Sequence, residues 1–182
     1  MSENLIVCHC APTLAGLKTA SIFSCSYETE GELMDEIKEK NNELNSRGVY
    51  FDLMRARGGK ALVMVYRKKM LKKILSDGET KEFLAKYEYI DFEMDSCIER
   101  LKWRLDDFDF PHEIGVFLGY PLCDVKGFIE NNGENFVCSG CWKAYDDADT
   151  ASKRFSLIKK CSSLYCRKLE EGKSMQKLTV AI

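Results

Sequence analysis

Two histidines occur in the 182 residues, and each stands beside a side chain that could share chemistry with it. The first lies in Cys8-His9-Cys10, followed at once by Ala11-Pro12-Thr13. Thiolates and imidazoles ligate soft metals, and a thiolate is a strong nucleophile, so this triplet is a candidate for either role. The second lies in Phe110-Pro111-His112-Glu113. A histidine next to a carboxylate could serve as general base or as metal ligand. A zinc-protease helix would need a second histidine four residues on, and position 116 is valine. If the two segments meet, Cys10 and His112 would make a thiol–imidazole pair, with Glu113 or Asp124 orienting the ring. His9 or Cys10 together with His112 could instead hold a metal or a haem iron. Each segment also has an inert reading: buried thiols around a backbone-bonded histidine, and a Glu113 that simply favours a helix start.

Other motifs are weaker. Cys138-Ser139-Gly140-Cys141 has the spacing of half a zinc site, but Cys161 and Cys166 do not supply a matching second half. Arg67, Lys68, Lys69, Lys72 and Lys73 form a basic run, interleaved with Met70, Leu71, Ile74 and Leu75 as on an amphipathic helix. No phosphate-binding glycine loop and no GxSxG elbow occurs, which counts against nucleotide-binding and serine-hydrolase readings.

The elements that must position these residues can be sketched. Residues 4–10 form a short apolar run suited to a strand or a buried entry segment, after which Pro12 suits the first turn of a helix reaching about Cys25. That arrangement would place His9, Cys10 and Thr13 at a positive helix end. Thr29-Glu30-Gly31-Glu32 has the form of a capping box for a helix ending at Gly48. Alternation in Val49–Met54 and again in Ala61–Tyr66, around Gly58-Gly59, predicts a hairpin at about 49–66. Helical stripes follow from Met70 to Leu105. Pro121 opens a short helix through Phe128, and the run from Phe136 to Tyr145 is a candidate strand. A long amphipathic helix from Ala151 to Leu169 and a last strand through Leu178, Val180 and Ile182 complete the sketch. The fold class predicted is α+β: one compact domain over residues 1–182, with several amphipathic helices on a small, mainly antiparallel sheet.

Composition sets outer limits. Hydrophobic residues make up 45% and charged residues 31%, a globular balance that can bury a core. With 27 basic against 29 acidic residues there is no global field to attract nucleic acid, which makes that partner unfavourable. No run approaches the roughly 18 apolar residues of a membrane helix, so no membrane association is expected. The N-terminus lacks the basic flank and apolar stretch of a secretory signal, leaving the cytoplasm as the expected compartment. Nine irregularly spaced cysteines there are expected as free thiols.

His9-Cys10-Ala11-Pro12-Thr13-Leu14-Ala15-Gly16, the central stretch from Phe110 to Pro121 with Asp124-Val125-Lys126-Gly127-Phe128-Ile129, and a shorter block at Gly140, Trp142-Lys143 and Tyr145 occur in that order. Together they resemble the signatures of an uncharacterised domain family from clostridia and related Firmicutes, over nearly the whole chain. Cys123, Cys138 and Cys141 fall outside the pattern. The resemblance implies no reaction. It implies a neighbourhood of iron-uptake and flavodoxin-like genes, and with it iron or haem as the cofactor to consider. It also marks positions to test: His9, Cys10, Thr13 and Lys18 in one block, and His112, Glu113, Tyr120, Asp124 and Lys126 in the other. Three functions follow as expectations. The first is a binding or regulatory module for a small anionic ligand or iron-related cofactor, with both blocks on one site. The second is an enzyme with Cys10 as nucleophile and His112 as base. The third is a structural domain that contacts another protein.

Overall fold

A computed structural model of the chain describes residues 1–107 and 109–182. Its framework is a three-stranded antiparallel sheet of β1 (Ala20–Ser26), β2 (Val49–Arg57) and β3 (Lys60–Arg67), in the order β1-β3-β2. β2 and β3 are the hairpin expected from sequence. Gly58 and Gly59 take φ of 59° and 72°, the left-handed pair that a two-residue turn demands and side chains resist. Pairing runs Phe23↔Val63↔Leu53 and, one residue along, Ile22↔Met64↔Asp52. Successive side chains point to opposite faces, so Phe23 and Val63 share one face while Ile22 and Met64 share the other.

Two cores follow from that alternation. On the Phe23 face, α1 (Glu3–Leu14) and α2 (Glu30–Leu44) bury Ile6, Cys10, Leu14, Leu33 and Ile37 against Phe51, Val63 and Val65. The Thr29 hydroxyl accepts from Glu32 N–H at 3.3 Å, half of the capping box expected. Beyond α2, a 3₁₀ turn (Asn45–Arg47) ends at Gly48, whose φ of 79° redirects the chain into β2. On the Ile22 face pack α3 (Lys68–Leu75), α4 (Gly78–Ala85), α5 (Met94–Leu105), α6 (Ile114–Phe117) and α7 (Leu122–Glu130), around Met64, Tyr66, Leu84, Leu101 and Phe117. α3 carries the lysines of the basic run, with Leu71 and Leu75 inward and Lys69, Lys72 and Lys73 outward, whereas Arg67 ends β3 and is buried.

A short hairpin, β4 (Cys138–Ser139) and β5 (Lys143–Ala144), follows α7. The long helix α8 (Ala148–Glu170) then crosses the molecule. Its first half packs Ala151, Phe155 and Ile158 on Trp142, and its second half lays Tyr165, Cys166 and Leu169 on the α1 core. α9 (Met175–Leu178) closes the chain. The whole is an α+β domain, with helices packed on a three-stranded antiparallel sheet plus a small hairpin.

Three expectations are corrected. Residues 4–10 lie in helix α1, not in a strand. Pro12 sits near the end of that helix rather than in its first turn, and β1 occupies the stretch read as the helix continuing to Cys25. Leu178, Val180 and Ile182 form no strand; Val180 makes one backbone bond, to Leu14 O at 3.0 Å. A fourth element is shorter than expected, since the 136–145 strand is reduced to the β4–β5 hairpin. The first correction reverses an electrostatic argument. His9, Cys10 and Thr13 stand toward the negative end of α1, where the helix dipole disfavours anions and thiolates.

That helix end is closed by a cation instead. Arg67, 1% exposed, donates from Nε to Thr13 O at 2.7 Å and from Nη2 to Leu14 O. Its Nη1 donates to Arg47 O at 2.8 Å and to Val180 O at 2.7 Å. One guanidinium thus adds side-chain donors to the last carbonyls of α1, and joins them to the 3₁₀ turn and the C-terminal segment.

Candidate functional site

A cavity of about 370 Å³ opens on the Ile22 face, between α6, α7 and the β4–β5 hairpin. Five rings wall it: Phe110, His112, Tyr120, Phe128 and Trp142. Aliphatic groups of Ile22, Ile114, Leu118 and Val125 line the rest, with Asp124, Lys143, Ser139 and the backbone of Gly115 and Gly140. The rings support one another. His112 lies 4.9 Å from Phe128 and 5.8 Å from Phe110, and Tyr120 stacks on Trp142 at 5.0 Å. Phe155 of α8 meets Trp142 edge-on at 4.5 Å from behind.

The sequence builds this wall locally. Pro121 begins α7, and Asp124 in its first turn is buried with both oxygens in use. Oδ2 accepts from Trp142 Nε1 and Oδ1 from Tyr145 N–H, each at 2.7 Å. Asp124 therefore fastens the hairpin to α7, a charge-assisted anchor that fixes the Trp142 ring. Gly127 lets this happen, since a Cβ there would lie 2.5 Å from Tyr145 Cγ. Gly140 does the same opposite Phe155, whose ring occupies the space a Cβ would need. Burial first, and the nearby Cys141 second, push the Tyr120 hydroxyl up to about 12, so it stays a neutral donor, to Cys141 O at 3.3 Å.

Lys143 borders the cavity from β5. Its ammonium donates to Gly133 O at 2.6 Å and lies 4.8 Å from the Phe136 ring centre. Two of its three N–H donors remain for other groups.

The residues singled out from sequence divide sharply. His112, Tyr120 and Asp124 line the cavity. Glu113, adjacent to His112, turns the other way and is fully buried. It pairs with Arg104 and accepts from the Tyr89 hydroxyl at 3.4 Å, so it braces α6 against α5. Burial, then the Glu113 charge, drives the Tyr89 hydroxyl far above its ordinary range. Lys126 reaches over the Phe83 ring, 6.0 Å from its centre, and does not border the cavity.

The first block lies elsewhere. His9 is exposed and stacks on Phe23, ring centres 6.0 Å apart, whereas the cavity is lined by Ile22 on the opposite face of β1. Cys10 is fully buried, and burial pushes its thiol up to about 12, with only a partial pull down from Lys18. A protonated, enclosed sulfur is neither nucleophile nor ready ligand. Thr13 is buried too, its hydroxyl 2.9 Å from Ser21 Oγ. The two blocks do touch, through the marked positions Lys18 and Tyr120 rather than through the histidines. Lys18 Nζ sits 5.0 Å from the centre of the Tyr120 ring, and Gly119 packs so closely on Thr19 that a Cβ would lie 2.5 Å from its Oγ1. Desolvation lowers the Lys18 pKa, and the Cys141 and Cys10 sulfurs offset part of that fall.

Among the described residues no three His, Cys, Asp or Glu side chains group closely enough to hold a metal ion. The iron, haem or zinc expectation at His9, Cys10 and His112, and at Cys138 and Cys141, gains no support from geometry. Cys138 Sγ lies 3.3 Å from Ser152 Oγ, and Cys141 is exposed. All nine cysteines are free, and no helix among the described residues is long and apolar enough to cross a membrane.

Sequence reasoning passed over Phe110 and Phe128 as site residues, although both stand in the central signature. The available signal was aromatic density from Phe110 through Phe128 and Phe136 to Trp142, which reads equally well as core. Arg67 and Arg104, the two arginines that hold the blocks in place, gave no sequence signal beyond charge.

No curated protein and no solved structure matches the chain. A family model does, described as a protein of unknown function (DUF3793) and matching residues 6–179. From the second turn of the first helix to the C-terminal segment, the chain belongs to the DUF3793 family.

Proposed function

We propose that the chain is a binding module for a small planar ligand carrying an anionic group, taken up in the cavity between α6, α7 and the β4–β5 hairpin. The observation that carries this reading is the wall itself: five rings and four aliphatic side chains around about 370 Å³, with one ammonium at the edge. Ligand pockets of this kind are mostly apolar with a few placed polar groups. The rings offer flat faces for stacking. Lys143 supplies the positive charge, and exposed His112 adds a ring N–H donor. Asp124 keeps its negative charge, and its oxygens accept from Trp142 Nε1 and Tyr145 N–H in the wall, so the anionic group is placed toward Lys143.

A cysteine-nucleophile enzyme is the less favoured reading, because Cys10 is sealed in the other core and His112 stands on the far side of the sheet from its neighbour His9.

Titration with 2-naphthoate and with uncharged 2-naphthylmethanol tests the reading. In a Trp103→Phe background, Trp142 fluorescence reports occupancy. Binding of naphthoate with a dissociation constant on the order of 1 mM or tighter is expected, from about 0.3 kcal/mol or more per heavy atom. The alcohol is expected to bind several-fold more weakly, and Lys143→Met to remove that difference. Equal, Lys143-independent binding would refute the anionic part; no response to either probe would refute the pocket reading.

A further inference from the structure

The nine thiols are unequal. Cys10, Cys25, Cys97 and Cys161 are buried, whereas Cys8 on α1 is exposed and Cys166 on α8 is partly exposed. These two sulfurs, 158 positions apart in sequence, lie 3.6 Å from each other. We propose that Cys8 and Cys166 are an oxidative modification site, a dithiol that a peroxide converts into a disulfide fastening α8 to α1.

The placement follows from packing on the Phe23 face. α8 lays Tyr165, Cys166 and Leu169 against the core that α1 fills with Ile6, Val7 and Cys10. Cys8 is on the adjoining rim of α1, where its thiol also donates to Asn4 Oδ1 at 3.5 Å. The sulfurs are at van der Waals distance, roughly 1.5 Å beyond the length of a disulfide bond.

The chemistry balances with hydrogen peroxide as oxidant. Burial and the neighbouring Cys8 push the Cys166 thiol up, so Cys8, the more exposed sulfur, meets the peroxide first. The Cys8 thiolate attacks one peroxide oxygen, breaking the O–O bond and releasing hydroxide, and becomes a sulfenic acid. The Cys166 thiolate then attacks the sulfenic sulfur, forming S–S and expelling a second hydroxide. The two thiols give up two electrons and two protons, and one peroxide becomes two waters. A small dithiol reverses the change by two exchanges.

The bond would close a loop through almost the entire chain, which restricts the unfolded state more than the folded one. It would hold the second half of α8, whose buried side chains are otherwise few: the helix as a whole buries only Ala151, Ile158 and Cys161. The proposal does not depend on what the aromatic cavity binds.

The test uses the full chain, reduced and then exposed to one equivalent of hydrogen peroxide. Non-reducing peptide mapping is expected to show Cys8 joined to Cys166 as the main product, with two fewer alkylatable thiols. The melting temperature is expected to rise by about 5–10 °C and to return on treatment with dithiothreitol. Cys8→Ser and Cys166→Ser should each abolish both the linked peptide and the rise, while melting like the reduced wild type. Linkages scattered among Cys123, Cys138 and Cys141, or Cys8 accumulating as sulfinic acid with Cys166 still free, would overturn the proposal. So would a linked product that melts no higher than the reduced protein.

Discussion

The blocks around His9 and His112 look alike in sequence, yet only the second borders a cavity. Around His9, the inward side of helix α1 is filled by the sheet and α8, and its inward groups are spent there: Cys10 in the core, Thr13 on Ser21, the terminal carbonyls on Arg67, while Cys8 and His9 stay exposed on the rim. Around His112, the polar residues next to the histidine are likewise spent, Glu113 on Arg104 and Asp124 on Trp142 and Tyr145. There, however, the anchoring holds rings apart instead of together, and a cavity is left. Reactive residue types alone therefore did not mark the site; what separates the two blocks is whether their anchors enclose space.

Removing an anchor should break that contrast, and the largest effect is expected at Arg67. Arg67→Met strips donors from two buried and two part-buried carbonyls and should cost about 3–5 kcal/mol in urea unfolding. It should also loosen α1 enough for Cys10 to react with iodoacetamide in native buffer, where the wild-type thiol stays unlabelled. Glu113→Ala comes next. It leaves the partly exposed Arg104 without its fully buried partner, at a cost of about 2–3 kcal/mol by the same measurement.

Asp124→Asn distinguishes anchoring from mere burial. The amide can accept from only one of Trp142 Nε1 and Tyr145 N–H while its own NH₂ confronts the other, so a loss of about 2 kcal/mol is expected. Trp142 fluorescence should shift to longer wavelength as the ring loosens, and naphthoate binding should weaken with it. Glu113→Ala should leave the Trp142 signal in place.

How far the sequence disclosed this structure depended on what each segment packs against. Gly58-Gly59 and Thr29 announced the hairpin and the start of α2 because turns and caps are local chemistry. α1 was misread because of its proline. Its buried residues Ile6, Val7, Cys10, Ala11 and Leu14 do recur at helical spacing, but Pro12 suggested a helix start there and cut the pattern in two. β1 was missed for another reason: Ser21 is buried on Thr13, which blurs the alternation of Phe23 and Cys25 with Ser24 and Ser26. The alternating Leu178, Val180 and Ile182 suggested a strand, but Leu178 ends α9 and the Val180 backbone is claimed by Leu14 and Arg67. Three cavity residues, His112, Tyr120 and Asp124, were marked in advance. Which way each points was not legible, since neighbours such as His112 and Glu113 face different partners.

Burial of Cys10 carries a pH signature as well. Its thiol titrates near 9.0 when unfolded and is pushed up to about 12 when folded. The folded state holds its proton where the unfolded state has lost it, so the thiol's contribution is complete below about pH 9 and is lost as pH rises toward 12. Urea midpoints across that window should fall more steeply for wild type than for Cys10→Ala. The difference should be at most about 1.4 kcal/mol per pH unit. The smallest effect belongs to His9→Ala, which should leave naphthoate binding unchanged.

Because the chain has only two histidines and they stand on opposite faces of the sheet, their ring signals separate the block without a cavity from the block that borders one. Two-dimensional NMR of the uniformly ¹⁵N-labelled protein, following the histidine rings and tryptophan indoles as 2-naphthoate is added, is the direct test. The His112 ring and the Trp142 indole N–H should shift together and saturate together, with His9 unmoved. A saturating shift at His9, or none at His112, would contradict the account that the ligand site lies in the His112 block alone.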